Sequence, residues 1–484
     1  MLDALRAEIA ALEAAAAPLE PDAERRRTLA ADALDYAQGF LDALPGAPAN
    51  RNWEGVRPLD GEFGDEGRDL AELIAYFHRA VAEPGITTTS PRFMGYVPGG
   101  GLFHSALADF LAAATNKYSG FASAAPGAVR LENATAAWIA RVIGFPEGAA
   151  GTLTSGGSLA NLTAIVAARE ARDAEGGGAV YLTRFAHHCI DKGLNIAGRG
   201  RAPRRLIPTD SQHRMDIGAL AEALEKDRAS GIRPWLVVAS AGTVDTGSVD
   251  PLAGIAALCA RHGAWFHVDG AYGGLFMLCE EGKAALYGLD AADSVALDPH
   301  KTLFLPYGTG AVVVRDGRHL LHAFSASADY IQPLGETGVG PSPADLSPEL
   351  TRHFRALRLW LPLQAAGVAA FRAAQSEKIG LARYFHARLA ALDGWEVGGP
   401  PDLSIVAFRF RPGRGNTDAF NDRLLRRIQE EGRLFLSGTR IDGAPWLRCA
   451  ILSFRTHLAH IDDAIDVLVR TAAALQSEGR LSAQ

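Results

Sequence analysis

The segment WFHVDGAYGG, residues 265–274, carries an apolar β-rich run onto the carboxylate of Asp269 and then continues in small residues. The segment ADSVALDPHK, residues 292–301, repeats this arrangement and ends on Lys301. Strands that are apolar throughout and alternate with helices are typical of a mostly parallel sheet covered by helices. We therefore predict an α/β core, with strands at 180–182, 205–207, 235–239, 265–269, 294–297 and 311–314, and helices at Leu159–Ala174 and Ile217–Ala229.

The segments on either side of this core follow other patterns. From Leu2 to Phe40, apolar residues at three- and four-residue spacing indicate an amphipathic helical segment, and a loop rich in Pro and Gly separates it from a helix predicted at about Asp69–Val81. After Trp360 the pattern predicts long helices, a strand at 404–410, a helix at Thr417–Glu431, a strand at 446–454 and a final helix from Ile461. We expect three parts: a helical segment at 1–85, a large domain at 86–365 and a small α+β domain at 366–484.

The composition excludes several classes of protein. The chain has 484 residues, of which 48% are hydrophobic and 21% charged, as in soluble globular proteins. With 48 Lys and Arg against 55 Asp and Glu, no global positive field attracts nucleic acid or an anionic membrane. No apolar stretch reaches the ~18 residues of a membrane-spanning helix, and the N-terminus lacks the basic region of a signal peptide.

The four cysteines lie far apart in the sequence and form no C-x-x-C pair. Neither a metal cluster nor a disulfide framework is therefore expected. Together with the composition, this predicts a cytoplasmic protein with no bound metal and with neither a nucleic-acid nor a membrane partner.

Two charged residues follow buried strands. Open α/β sheets bind ligands at the carboxyl ends of their strands. At this position the Asp269 carboxylate would hold the protonated nitrogen of a cationic heterocycle. Asp269 would serve equally well as the N-cap of a helix. A buried ammonium such as that of Lys301 is costly unless it is paired or condensed with a carbonyl as a Schiff base. A lone lysine there is otherwise a surface side chain whose amine reaches solvent.

The segment Thr154-Ser155-Gly156-Gly157-Ser158 precedes a predicted helix. Glycines let backbone N–H groups approach a ligand, and the helix N-terminus carries partial positive charge, which suits a phosphate. A Ser/Gly turn that only caps a helix has the same appearance. The spacing of the glycines at 154–158 differs from that of the nucleotide P-loop and of the dinucleotide fingerprint. A phosphate bound here therefore belongs to another kind of ligand.

Pyridoxal 5′-phosphate (PLP) has three groups that a protein binds: a phosphate, a ring nitrogen and an aldehyde. They match the phosphate-binding turn, the aspartate and the lysine that follow one another in this order along the α/β core. The sequence resembles the group II PLP-dependent amino acid decarboxylases, which include the aromatic-L-amino-acid decarboxylases. The resemblance covers nearly the whole chain and rests on SPRFMGYVPGG (90–100), the run at 124–146, TSGGSLANLTA (154–164), AHHCIDK (186–192), AGTVDTGSVDPL (241–252), HVDGAYGG (267–274), ADSVALDPHK (292–301) and RALRLWLPL (355–363).

This resemblance implies the fold and the assembly of the family. The fold would be the aspartate-aminotransferase-like fold type I, with PLP as cofactor. The implied assembly is a homodimer whose active sites combine residues of both chains, so that 1–85 would be a dimerisation segment and 86–365 the PLP-binding domain.

The resemblance also implies roles for individual residues. Lys301 would form the Schiff base, Asp269 would pair with the ring nitrogen, and His187, next to the alternative His188, would stack on the ring and take part in catalysis. Asp298 stands where some relatives have asparagine near the phosphate, which places like charges together unless the carboxylate turns away or is neutralised. The other implied cofactor contacts are Gly156, Gly157 and Ser158 at the phosphate, Ala271 against the ring, Thr243 near the ring hydroxyl, and His300 beside the lysine.

The implied reaction is loss of CO2 from an L-amino acid through an external aldimine and a quinonoid. In many relatives a mobile loop after the lysine carries a tyrosine that protonates the product carbon. The corresponding residues 331–349 contain no tyrosine, although Tyr330 lies just before them. Their Gly and Pro content fits a flexible lid as well as a plain surface loop. The missing tyrosine keeps open an aldehyde synthase, which decarboxylates and deaminates its substrate oxidatively.

The implied substrate pocket is apolar and aromatic, which favours an aromatic or bulky apolar amino acid over an acidic one. Gly99-Gly100-Gly101 stands where aromatic-acid relatives have Thr after the Pro, which implies a roomier or more mobile wall. A strand arginine would alternatively anchor the second carboxylate of a substrate such as glutamate or aspartate, or pair with a surface acid. The implied substrate contacts are Phe93, Tyr96, Pro98, Gly99, Tyr118, Phe121 and Arg448.

Three hypotheses therefore stand: a decarboxylase that releases an amine, an aldehyde synthase, and a vitamin B6-binding protein without turnover. The presence of Lys301, His187 and Asp269 argues against the third. An amine product would indicate the decarboxylase, an aldehyde product the aldehyde synthase, and the absence of CO2 the binding protein.

Overall fold

The chain begins with helices that bury few side chains in the computed structural model, which describes residues 1–51, 63–325 and 338–481. The helical segment expected over Leu2–Phe40 forms two helices, because Pro18 and Pro21 lack the N–H groups that would continue one. The elements of this part are α1 (Leu2–Ala16), α2 (Ala23–Ala43), β1 (Asn50–Arg51), α3 (Leu70–Phe77) and β2 (Gly85–Ile86). β1 pairs with β2, across the boundary expected at residue 85.

Two helices connect this part to the central sheet, α4 (Phe103–Thr115) and α5 (Pro126–Ile143). α5 buries a stripe of residues that includes Val129, Ile139 and Ile143. It ends at Gly144, whose φ of +90° suits a residue without a Cβ.

The central sheet has seven strands and confirms the predicted fold class. In the order β3-β9-β8-β7-β6-β4-β5 the last five strands are mutually parallel, while β9 runs antiparallel to both of its neighbours. All seven residues of β6 are buried, which explains its unbroken apolar sequence. The strands are β3 (Ala150–Thr154), β4 (Ala179–Leu182), β5 (Arg204–Leu206), β6 (Pro234–Ser240), β7 (Trp265–Gly270), β8 (Ser294–Leu297) and β9 (Gly310–Val314).

Helices cover both faces of the sheet, and an apolar core lies on each side. Most lie between successive strands, as parallel pairing requires. They are α6 (Gly157–Arg172), α7 (Cys189–Ile196), α8 (Ile217–Ala229), α9 (Leu252–His262), α10 (Glu280–Ala285), α11 (Pro299–Thr302) and α12 (Arg318–Phe324).

The C-terminal part packs three helices on a four-stranded antiparallel sheet with its own apolar core. The expected helix at Thr417–Glu431 has these bounds, whereas the strand predicted at 446–454 ends at Ala450. Two strands of this sheet were not predicted: the short strand at Trp395–Val397, and SGTRI at 437–441, whose polar residues alternate with only a few buried ones. The elements are α13 (Arg355–Ala366), α14 (Val368–Ala390), β10 (Trp395–Val397), β11 (Ile405–Phe410), α15 (Thr417–Glu431), β12 (Ser437–Ile441), β13 (Ala444–Ala450) and α16 (Leu458–Leu481).

The described part of the chain contains no helix that is both long and apolar enough to cross a membrane. The four cysteines are buried and are not paired with one another.

Candidate active site

A cavity of about 320 Å³ opens at the carboxyl ends of β4, β6, β7 and β8. Loops leaving parallel strands meet at one sheet edge, which is where open α/β sheets bind ligands. The turn between β3 and α6 closes the cavity on its other side. All nine residues predicted to contact the cofactor line this cavity: Gly156, Gly157, Ser158, His187, Thr243, Asp269, Ala271, His300 and Lys301.

Lys301 and Asp298 form an ion pair on the turn after β8. The short helix α11 places them three residues apart, with Lys301 Nζ 2.9 Å from Asp298 Oδ2. The other carboxylate oxygen, Oδ1, is buried and has no hydrogen-bond partner among the described residues. His300 Nδ1 lies 3.6 Å from Oδ1 and donates instead to the carbonyl of Thr309 at 2.8 Å. Oδ1 is therefore available to a donor on a bound group.

The turn at Gly156–Ser158 is closely packed against the loops that follow β7 and β8. A Cβ at Gly157 would lie 2.9 Å from Asp298 Oδ2 and 3.0 Å from the Cβ of Ala271, so a side chain does not fit there. The turn begins α6, a helix of 16 residues whose first N–H groups have no partner within the helix. Backbone donors beside a position without a side chain are a suitable arrangement for a phosphate.

Asp269 is the penultimate residue of β7 and lies between two parallel neighbours, opposite Ser240 of β6 and Ala296 of β8. Its Oδ1 accepts a hydrogen bond from the N–H of Ala271 at 3.1 Å. This bond orients the carboxylate at the cavity wall, and its remaining lone pairs can accept a proton donor such as a ring N–H⁺.

His187 lies on the loop between β4 and α7. The N–H of Cys189 donates to His187 Nδ1 at 3.3 Å, so Nε2 carries the ring proton in the neutral form. Burial lowers the pKa of His187, an effect that the carboxylate of Asp269 opposes. The imidazole is therefore neutral at pH 7. Its ring centroid lies 4.1 Å from that of His188.

Thr243 follows β6 on a tight turn. Its Oγ1 lies 2.8 Å from Thr246 Oγ1, and the N–H of Gly247 donates to its carbonyl at 3.0 Å. Gly242, with φ +93°, is packed so that a Cβ would lie 2.5 Å from the ring of Tyr272. These contacts hold the Thr243 hydroxyl at the cavity wall.

The seven residues predicted to contact the substrate are not among the residues that line this cavity. Phe93 is only 1% exposed and stacks on Phe435 with ring centroids 5.5 Å apart, in a small core cluster. Packing against Phe435 encloses this side chain, and its substrate contact stays a prediction. Tyr96, by contrast, is 57% exposed, and its ring centroid lies 5.8 Å from that of Phe435.

Arg448 on β13 is buried and already bonded. Its guanidinium donates to Ser437 Oγ at 2.8 Å and to the carbonyl of Tyr96 at 2.6 Å, and only Nε lacks a partner among the described residues. Arg448 therefore holds the backbone at Tyr96 through a hydrogen bond and does not line the cavity.

The glycines after Pro98 are tightly packed. Gly99 donates its N–H to Tyr307 Oη at 3.1 Å, and a Cβ on it would lie 2.8 Å from that ring. A Cβ at Gly100 would lie 2.1 Å from the carbonyl oxygen of Phe304. The expectation of a roomier wall is therefore not met at these two positions, where glycine allows close backbone approach.

Two further predicted substrate contacts, Tyr118 and Phe121, pair with ring centroids 5.8 Å apart, and Tyr118 is 40% exposed. Tyr330 and residues 331–337 lie outside the described residues. The rest of the expected lid is anchored here: Asn133 Nδ2 donates to the carbonyl of Val339, and Ser342 Oγ accepts from the N–H of Ala122.

Sequence reasoning missed residues that support the cavity from behind. His267, two positions before Asp269, is fully buried and hydrogen-bonded to Asn161, a residue of α6. Two-residue alternation along β7 places His267 and Asp269 on the same face, which was the available signal. Tyr307, whose ring centroid lies 5.5 Å from that of His300, had no sequence signal.

Comparison with known proteins supplies the family. The pyridoxal-dependent decarboxylase conserved domain matches residues 54–411. The chain belongs to the group II PLP-dependent amino acid decarboxylases. It is 35% identical to an aromatic-L-amino-acid decarboxylase of Bacillus atrophaeus, over 90% of this chain and 93% of that protein. It is 30% identical to an L-2,4-diaminobutyrate decarboxylase of Rhizobium meliloti, with 95% and 94% covered.

A crystal structure of Oryza sativa TDC with PLP and tryptamine superposes with a TM-score of 0.89 at 25% identity, covering 94% of this chain and 99% of that one. The chain is thus a PLP-dependent amino acid decarboxylase by family, and PLP is its cofactor. The cavity fits that cofactor: Gly157 leaves room beside helix N–H donors, a carboxylate ends β7, and a lysine amine follows β8.

Proposed function

We propose that this enzyme removes CO2 from an aromatic or other bulky apolar L-amino acid and releases the amine. The observation that carries the proposal is the convergence of Lys301, Asp269, His187 and the Gly156–Ser158 turn on one cavity. Aromatic side chains, Phe185 and Tyr272, also line it.

In this proposal each residue acts at a defined atom. Lys301 Nζ is the amine that would hold the cofactor through its aldehyde carbon, and the Asp269 carboxylate would keep a proton on the cofactor's ring nitrogen. PLP, when bound, supplies an electron sink for the pair released when the carboxylate leaves. Neutral His187 covers the ring and, with its proton on Nε2, can return a proton to the product carbon. The turn at 156–158 holds the phosphate through backbone N–H groups.

An acidic substrate is the less favoured alternative. Arg448, the arginine considered for its second carboxylate, is buried and bonded to Ser437 and to the Tyr96 carbonyl. An aldehyde product is a second candidate, because residues 331–349 contain no tyrosine. That reaction needs O2 as oxidant and releases ammonia and hydrogen peroxide in addition to CO2.

The experiment incubates the holoenzyme with a panel of L-amino acids: Trp, Tyr, Phe, Leu, 2,4-diaminobutyrate, Glu and Asp. CO2, amine, ammonia and peroxide are measured together. The proposal predicts CO2 and amine in equal amounts from an aromatic or bulky apolar substrate, without peroxide. CO2 with equal ammonia and peroxide would establish the aldehyde synthase, and bound PLP without CO2 from any amino acid would establish a binding protein.

We further propose the division into a dimerisation segment at 1–85, a PLP-binding domain at 86–365 and a small domain at 366–484, and a homodimer with shared active sites. Apolar residues of α1, a helix without a buried residue, support the dimer: Leu2, Leu5, Ile9 and Leu12 are all exposed. Four free cysteines support a reducing, cytoplasmic setting.

A further inference from the structure

His267 is hydrogen-bonded at both ring nitrogens in the interior of the large domain. Its Nδ1 lies 2.8 Å from Ser294 Oγ on β8, and its Nε2 lies 2.7 Å from Asn161 Oδ1 on α6. All three side chains are fully buried. The imidazole thus connects the sheet to the helix that begins at the 156–158 turn.

The partners determine which ring nitrogen carries the proton. Asn161 donates from Nδ2 to the carbonyl of Gly157 at 2.9 Å, and a carbonyl only accepts, so Asn161 presents Oδ1 to His267. Oδ1 also only accepts, and His267 must therefore donate from Nε2. At the other end, Ser294 Oγ accepts from the indole N–H of Trp265 at 2.8 Å and directs its own proton to Nδ1. Burial lowers the pKa of His267 to about 4, which agrees with a neutral ring at pH 7.

The hydrogen bonds run from Ser294 through His267 to Asn161, and the Asn161 side chain lines the cavity. Besides Gly157, it lies 3.5 Å from Cys189 Sγ, and the N–H of Cys189 donates to His187. Gly157 is held on its other side by Asp298 and Ala271. Thr154 Oγ1 also donates to the carbonyl of Gly156, the first residue of the turn. The Asn161 amide adds the hydrogen bond to Gly157, and the orientation of this amide depends on His267.

We propose that His267 is a positioning residue for the phosphate-binding turn: its Nε2–H orients Asn161, which holds the carbonyl of Gly157. The inference rests on the proposed placement of the PLP phosphate at 156–158. It predicts an effect on the part of the cofactor that binds there and not on the aldehyde or the ring.

The test uses full-length protein stripped of cofactor and compares the binding of PLP with that of pyridoxal, which lacks the phosphate. His267→Leu removes both hydrogen bonds, and His267→Gln keeps an amide donor near the position of Nε2. We expect His267→Leu to raise the Kd for PLP about tenfold or more, since a buried amide loses its partner. The Kd for pyridoxal should stay within about twofold, and His267→Gln should recover most of the PLP affinity.

Equal losses of PLP and pyridoxal affinity, or no loss of either, would overturn the proposal. If His267→Leu does not fold, Asn161→Ala tests it, because it deletes the bond to Gly157 directly and should show the same selective loss. Wild-type protein that binds pyridoxal as tightly as PLP would instead refute the placement of the phosphate at this turn. The wild-type measurement thus separates failure of the proposed site from failure of the positioning role.

Discussion

Two carboxylates and one lysine dominate the electrostatics of the cavity. Asp298 pairs with the Lys301 amine at 2.9 Å, while Asp269 is the penultimate residue of the neighbouring strand. The Asp269 carboxylate is the proposed partner of the cofactor's ring nitrogen. An aspartate near a phosphate would place two negative charges together. Here the Lys301 ammonium offsets the charge of Asp298 while the amine is free.

Replacing Lys301 is expected to abolish covalent attachment of the cofactor. Lys301→Ala should lose the visible absorption band of the PLP Schiff base and reduce CO2 release by at least about 1000-fold, because no other amine replaces the lost nucleophile. Lys283→Ala, an exposed lysine paired with Glu280, is the matched control and should leave both unchanged. A wild-type spectrum in Lys301→Ala would contradict the assignment.

Acid should destabilise the protein through His267. Its folded-state pKa of about 4 lies below the unfolded value of 6.5, so the unfolded chain binds the extra proton between these pH values. The free energy of unfolding therefore falls as pH drops from 6.5 to 4, by an amount on the order of 3 kcal/mol from this residue.

His267→Gln removes this contribution, whereas the histidines at 187 and 300, whose pKa values burial also lowers, titrate in both proteins. Urea unfolding of cofactor-free protein at pH 7, 6 and 5 should show the stability difference between wild type and variant shrinking toward acid. Parallel stability curves would refute the neutral, buried state of His267.

At the scale of elements, close backbone approach joins the segment before α4 to the loop after α11. Leu102 N–H donates to the Phe304 carbonyl, Gly100 N–H to that of Leu305, and Phe304 itself has φ +60°. A bulky residue in this left-handed backbone conformation is strained. The segment that carries the proposed substrate contacts at 96–99 is thus fixed to the loop that follows Lys301.

Gly100→Ala should therefore destabilise the protein by about 3 kcal/mol or more, because its Cβ would overlap the Phe304 backbone. Gly380→Ala is the control: this glycine lies in α14 with nothing within 4 Å, and the change should stabilise by about 0.5–1 kcal/mol. Thermal unfolding of both variants measures the two effects. Similar shifts in the same direction would contradict the packing described at Gly100.

At the scale of the whole molecule, the N-terminal helices are the least buried part of the fold. α1, α2 and α3 contain no buried residue, although α1 presents apolar side chains at helical spacing. Such a surface is typical of one that another chain covers.

The proposed homodimer predicts a mass of about twice 51.2 kDa by light scattering of active enzyme. A double substitution, Leu5→Lys with Ile9→Lys, should shift the population toward monomer and lower activity, because charge replaces the apolar contact. Asp3→Lys on the same helix is the matched control for added charge. Active wild-type enzyme near 51 kDa would exclude a homodimer with shared sites.

The sequence by itself determined the α/β core, its family and nine of the residues that line the cavity. Strand periodicity and the residues at strand ends are local properties, and parallel strands bring their carboxyl ends together whatever the rest of the chain does. For this reason Lys301, Asp269 and the 156–158 turn could be predicted as one site, whereas His187 was predicted only from the resemblance to the family.

Only the tertiary structure decided what lies behind and around that site. The hydrogen bonds from Ser294 through His267 to Asn161 join residues of three elements, and no local pattern encodes such pairing. Phe93, a predicted substrate contact, packs on Phe435, and the carbonyl of Tyr96 accepts a hydrogen bond from Arg448. Partners distant in sequence are chosen by the three-dimensional arrangement of strands and helices, because burial and hydrogen-bond satisfaction apply to the folded molecule as a whole.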